Sequence, residues 1–259
     1  MRDDTRAHTR FEQPASPVPG RTVDLGPGRR LLLPAPQGSR PRRLVIHFHG
    51  AGWVAEQSAR ARYKNNAAIL TVEANGSSSV YRQLILTSGS SFAELVAQAE
   101  QAAKVKFTSV VLSSFSAGYG AIREILRDKA NWERIQGVVL ADSMHAGYGE
   151  EEADIGPFVD FAREAVAGRK QFLITHSEVF PGTYMSTTET AGYVLRQLGL
   201  KRKAVLEWGS LGMQQVSEAR ASGLRVMGFA GNSAPDHMDH LFALEHWYSL
   251  LRLPKVRGK

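Results

Sequence analysis

The chain has 259 residues, 43% of them hydrophobic, enough for one domain of ordinary size to bury a substantial core unaided. Cysteine is absent, which removes disulfides, thiolate metal sites and a cysteine nucleophile together. The formal net charge of +7 gathers at the two ends, because residues 1–43 hold nine arginines against four acids and residues 252–259 hold four basic residues and no acid. The body between is slightly acidic, and neither end interleaves its charge with aromatics as a base-stacking surface does, so no specific nucleic-acid partner is expected. No apolar run approaches the ~18–20 residues that cross a bilayer, and no apolar segment marks the N-terminus. The expectation is a cytoplasmic protein with no membrane partner, export of a trimmed form being the alternative.

Residues 1–20 are polar, carry Pro14, Pro17 and Pro19, and read as a flexible arm. Thr22–Leu25 and Arg30–Leu33 predict a β-hairpin around Gly26-Pro27-Gly28. Strands are predicted at about 43–48 and 68–74. Ser91–Lys104 predicts an amphipathic helix with Ser91 as cap and Glu94 three residues on. The apolar run Val110–Phe115 is a buried strand followed by a helix, and Gln136–Ala141 is the sixth strand. A helix near 151–167 precedes a seventh strand at Phe172–Thr175, another helix covers Thr187–Leu198, and a last strand spans Leu224–Gly231. Leu241, Leu244, Tyr248 and Leu251 recur at helical spacing, with Phe242 and Trp247 widening the stripe of a closing helix. Strands alternating with helices argue for a mostly parallel sheet covered on both faces, within a single domain over 21–253 and a basic tail at 254–259.

Chemistry concentrates in three segments. Ser114-Phe115-Ser116-Ala117-Gly118 joins a strand to a helix with small residues two before and two after Ser116, the steric condition for a nucleophile elbow. The usual pattern is G-x-S-x-G, so Ser114 is a mild departure. His47-Phe48-His49-Gly50-Ala51-Gly52-Trp53 is a second strand end running into a loop of small residues that backbone donors need. Asp236-His237-Met238-Asp239-His240 supplies two imidazoles after the last strand.

At these residues the chain resembles the α/β-hydrolase superfamily, its serine esterase-like members in particular. The resemblance implies Ser116 as nucleophile and His237 as base in the loop before the closing helix, with His240 the alternate. It implies an oxyanion hole from Ala117 and the Gly52–Trp53 region, and no cofactor or metal. The acid that orients the histidine is Asp142, directly after the sixth strand, or Glu178, further along after the seventh. Trp53 and Tyr119 are candidates to shape a substrate pocket, and loops 75–81 and 175–184 fall on the same rim. The resemblance implies a lid after the sixth strand, where the stretch between Asp142 and Lys170 has room for one helix; its Phe158, Val159 and Phe161 read as core, so the lid is small or absent. The cleft then suits short-chain or polymer-attached esters. Two other readings stay open: a metal-dependent hydrolase built on His47, His49 and the 236–240 cluster, and a binding module that keeps the scaffold without catalysis.

Overall fold

The computed structural model describes residues 17–35 and 40–254. The N-terminal arm up to residue 16 and the tail from 255 lie outside the described residues.

Ten strands form one sheet: β1 (Gly20–Asp24), β2 (Arg29–Pro34), β3 (Arg43–Phe48), β4 (Ala67–Val72), β5 (Ser109–Phe115), β6 (Ile135–Ala141), β7 (Gln171–His176), β8 (Lys203–Trp208), β9 (Gln214–Ala221) and β10 (Leu224–Phe229). Their order is β1-β2-β4-β3-β5-β6-β7-β10-β9-β8. The six central strands from β4 to β10 run parallel, whereas β1–β2 and β9–β8 are antiparallel additions at the two edges. Eight α-helices accompany them among the described residues: α1 (Gly52–Tyr63), α2 (Ser78–Leu86), α3 (Phe92–Ala103), α4 (Tyr119–Arg127), α5 (Glu151–Val166), α6 (Thr187–Gln197), α7 (Ala234–Phe242) and α8 (Leu244–Leu250).

Successive strand residues point to opposite faces, and the chain fills both with apolar side chains. Leu44, Ile46, Leu70 and Leu112 pack under α2 to α6, while Val45, Ile69, Val111 and Val139 pack under α1, α7 and α8. Phe158 and Phe161 on α5 are fully buried and meet Phe172 of β7, so they belong to the core and not to a pocket wall. Each such ring contributes about 2–3 kcal/mol by leaving water.

Four features differ from the sequence expectation. The β8–β9 hairpin has no predicted counterpart, because an edge strand exposed at nearly every position lacks the alternation that marks a half-buried one. Helix α1 is not predicted either, since GWVAEQSARARY spreads its apolar residues around the helix. The region 75–81 is not a plain loop: α2 begins at Ser78. The closing helix is two helices broken at Ala243, and the first starts early enough to hold both His237 and His240. Ser233 caps it, exchanging bonds with Asp236, and Pro235 sits in the first turn, where its missing N–H costs nothing.

Parallel strands end together on one rim, where Phe48, Phe115, Ala141 and His176 lie. At the opposite rim β1 starts against the end of β2, and the Arg43 guanidinium at the start of β3 donates to the Pro254 carbonyl.

Candidate active site

Ser116 crests the turn between β5 and α4 with φ of 46°, a left-handed conformation that costs a non-glycine residue about 1 kcal/mol or more. The turn is forced by sterics. A Cβ on Gly118 would sit 2.1 Å from the Phe48 carbonyl oxygen, and one on Gly120 would sit 2.0 Å from that of Ser78. Ser114, where the common motif has glycine, is fully buried and its hydroxyl bonds the Ser143 hydroxyl at 2.8 Å. Ser143 in turn donates to the Ser116 carbonyl at 2.7 Å, so Ser114 must be the donor in its own bond. The extra hydroxyl thus fastens the elbow to the segment after β6.

Asp142 directly follows β6 and is also left-handed, φ 44°. Its buried carboxylate accepts from the Ser177 N–H (2.8 Å) and the Thr187 hydroxyl on one oxygen. The other oxygen accepts from the Ser177 hydroxyl and from His237 Nδ1, both at 2.6 Å. Burial pushes this carboxyl upward, but His240, His237 and the hydrogen bonds outweigh it and hold it well below the usual carboxylate range. An ionised Asp142 can only accept, so His237 carries its proton on Nδ1 and presents a lone pair on Nε2. The His237 ring packs 4.4 Å from that of Phe115, the residue before Ser116.

The alternates go elsewhere. His240, one turn along α7, is fully buried, with Nδ1 on the Thr175 hydroxyl at 2.7 Å and its ring against Phe229 and Trp247. Burial pushes it down to about 4. Glu178 ties two rim loops together: its carboxylate accepts from the Gly231 N–H at 3.2 Å and its own N–H donates to the Gly231 carbonyl.

The turn after β3 is pinned from beneath. His49 (φ 69°) and Gly50 (φ 97°) reverse the chain into α1. His47 Nε2 lies 2.8 Å from the His49 carbonyl, which only accepts, so Nε2 is protonated and Nδ1 accepts from the Ser113 hydroxyl at 2.9 Å. Ser113 then accepts from the Tyr248 hydroxyl at 2.7 Å. Burial pushes His47 down to about 3, keeping it neutral. The His49 ring bonds Tyr81 Oη at 3.0 Å and stacks on Phe115, its centroid 6.2 Å away. Both ring nitrogens of His47 are therefore occupied, and among the described residues no three His, Asp or Glu side chains group to hold a metal ion.

Gly52 and Trp53 open α1, so their N–H groups have no acceptor within the helix. They line a cavity of ≈520 Å³ with Thr71, Glu73 and Arg30, separate from the one that Ser116 lines, and the Trp53 ring packs on Phe242. Burial pushes Glu73 in that cavity up to about 7.

Ser116 and Ala117 line a cavity of ≈430 Å³. Tyr119, expected there, is part of it; Ser78, Arg123, His145, Asp154 and Tyr184 also line it and were not singled out from sequence. Ser78 and Tyr184 fall within the rim loops 75–81 and 175–184, whereas Arg123 on the elbow helix, His145 three residues after Asp142, and Asp154 carry no mark of their own. The supporting hydroxyls of Ser143, Ser177 and Thr187 were equally unmarked, because isolated serines and threonines look alike in every loop.

No protein-family model matches the chain, and no curated protein matches it in sequence. Among solved structures, it is similar to acetyl xylan esterase from Aspergillus awamori, at TM-score 0.54 and 15% identity over 88% of this chain and 98% of that one. It is also similar to esterase B from Lactobacillus rhamnosis, at TM-score 0.50 and 15% identity over 94% and 84% of the two chains. With the parallel sheet and the left-handed turn after β5, these likenesses identify the chain's architecture as the α/β-hydrolase fold.

Proposed function

We propose that the protein is a serine hydrolase acting on carboxylic esters through an acyl-enzyme on Ser116. The observation that carries this reading is the Asp142–His237 hydrogen bond set beside Phe115, immediately before the left-handed Ser116.

Ser116 Oγ attacks the ester carbonyl while His237 Nε2 takes the hydroxyl proton, and Asp142 stabilises the resulting imidazolium. The carbonyl π bond opens to an oxyanion held by the Ala117 N–H and a second N–H from the Gly50–Ala51 turn, which lies against Phe115 and which His47 fixes through the His49 carbonyl. Collapse expels the alcohol, which receives the proton from His237. Water then repeats the sequence on the acyl-enzyme, releasing the acid and restoring Ser116. Ester substrates fit the two similar structures, both named as esterases, and a cavity of this size takes short acyl groups or esters carried on a larger molecule.

A chromogenic acetate ester and a fluorophosphonate probe test the proposal together. The wild type should hydrolyse the ester, bind the probe covalently and be insensitive to chelator, and Ser116→Ala should lose both properties. Turnover abolished by chelator, or neither turnover nor labelling in the wild type, would overturn it.

A further inference from the structure

The Ser116 cavity has the lining of a site for a neutral, polyhydroxylated molecule. We infer that the larger half of the ester is a sugar or similar polyol, a reading that rests on Ser116 being the nucleophile.

Polar groups ring the cavity and their hydrogen-bonding directions can be assigned. Tyr119 donates to Ser78 Oγ at 3.0 Å, so the Ser78 hydroxyl proton is left to point elsewhere. His145 Nδ1 lies 2.9 Å from the Met185 carbonyl and must carry the proton, which leaves Nε2 as an acceptor. Burial lowers the His145 pKa and keeps that acceptor neutral. The ring is wedged edge-on between Tyr119 (5.8 Å) and Tyr184 (5.1 Å), and the half-exposed Tyr184 ring forms the aromatic wall at the mouth.

Charge adds a second constraint. Arg123 and Asp154 line the cavity but are bonded to each other, and Asp154 also accepts from the Gly147 N–H at 3.1 Å. The pair cancels, so neither an anionic nor a cationic substrate gains a net field. The wall is also preformed: Ala146 and Met185 pair as a β-bridge, and the Thr190 hydroxyl donates to the Met144 carbonyl at 2.8 Å. An alkyl chain in this space would strip water from these groups and return no hydrogen bonds, whereas a hydroxyl both donates and accepts. A pyranose adds a C–H face to lie on Tyr184.

The test compares two acetate esters of equal ring size, a mono-acetylated methyl pyranoside and cyclohexyl acetate. The pyranoside ester should exceed cyclohexyl acetate at least 100-fold in kcat/KM. His145→Phe and Tyr184→Ala should each lower that ratio at least ten-fold, while the exposed Phe180→Ala, outside the cavity, leaves it unchanged. In the wild type alone, free methyl pyranoside should inhibit 4-nitrophenyl acetate hydrolysis at concentrations where cyclohexanol does not. Ser116-dependent hydrolysis with no preference for the pyranoside, or inhibition by cyclohexanol alone, overturns this inference and leaves the proposed chemistry standing. Loss of all Ser116-dependent hydrolysis is the separate failure of that chemistry.

Discussion

The turns after β3 and after β5 lie side by side on one rim, and each is crested by a left-handed residue that is not glycine, His49 in the first and Ser116 in the second. They use the same strained backbone for opposite ends. The β5 turn lifts a side chain into a cavity and leans on Gly118 and Gly120 for clearance. The β3 turn holds its side chain down on Tyr81, and a buried chain from Tyr248 through Ser113 and His47 ends on its own His49 carbonyl. One turn supplies a reactive group and the other a rigid frame. Damage to the first should abolish chemistry, and damage to the second should degrade it.

The largest contrast is expected at the acid that serves the β5 turn. Asp142→Asn should lower kcat by about 10⁴ by leaving His237 in the wrong tautomer, as removal of this interaction does in other triads. Steady-state kinetics on a chromogenic acetate measures it. Glu178→Gln in the same assay should stay within about two-fold, and a large loss there would reverse the assignment.

Acidification should destabilise the fold before it protonates Asp142. His47, His176 and His240 are pushed by burial to about 3, 3 and 4, below the ordinary histidine value near 6.5. For each, the unfolded chain binds the proton more readily, so stability is full above pH ~6.5 and falls as pH drops toward the folded values. Each group costs about 1.4 kcal/mol per pH unit over that window, so the three cost about 4 kcal/mol per unit together. The Asp142 carboxyl, depressed in the folded state, would begin to cost stability only below about pH 4. Thermal melts from pH 7 to 4.5 should show a steep decline in Tm, shallower in His240→Gln.

Gly118→Ala should destabilise by about 3 kcal/mol or more, because its methyl meets backbone and not a side chain that can swing away. Denaturant unfolding reads this directly. The smallest effect belongs to the β3 turn. His47→Gln should lower kcat by about 10²-fold with KM little changed, the size of a weakened oxyanion donor. An unchanged kcat would mean that the turn holds itself.

The elbow was legible because sterics leave few alternatives: a serine between small residues, after a buried strand and before a helix, has a narrow range of meanings. The central strands were legible for the same reason, their apolar runs being too dense for anything exposed. What was hidden divides by cause. Helix α1 buries Glu56 and Ser58 alongside its apolar residues, and β8 is exposed at nearly every position, so neither leaves a periodic trace. The early start of α7 was written in Ser233, Pro235 and Asp236, a capping pattern that competes with the loop-like look of the same residues. The placement of Gly52 and Trp53 over a second cavity depends on which way α1 leaves the rim, a tertiary fact with no local signature. His145 entered the cavity through a bridge between residues 39 apart, Ala146 and Met185, that no local pattern announces.

The Arg43 bond to the Pro254 carbonyl holds the end of the described chain at the pole away from Ser116, and β1 sets out from that same pole. A tether attached at Gly20 or Pro254 would therefore leave from the pole opposite the mouth of the cavity. Immobilised on a bead by such a tether, the protein should accept esters presented on large or surface-bound carriers as readily as it does when free.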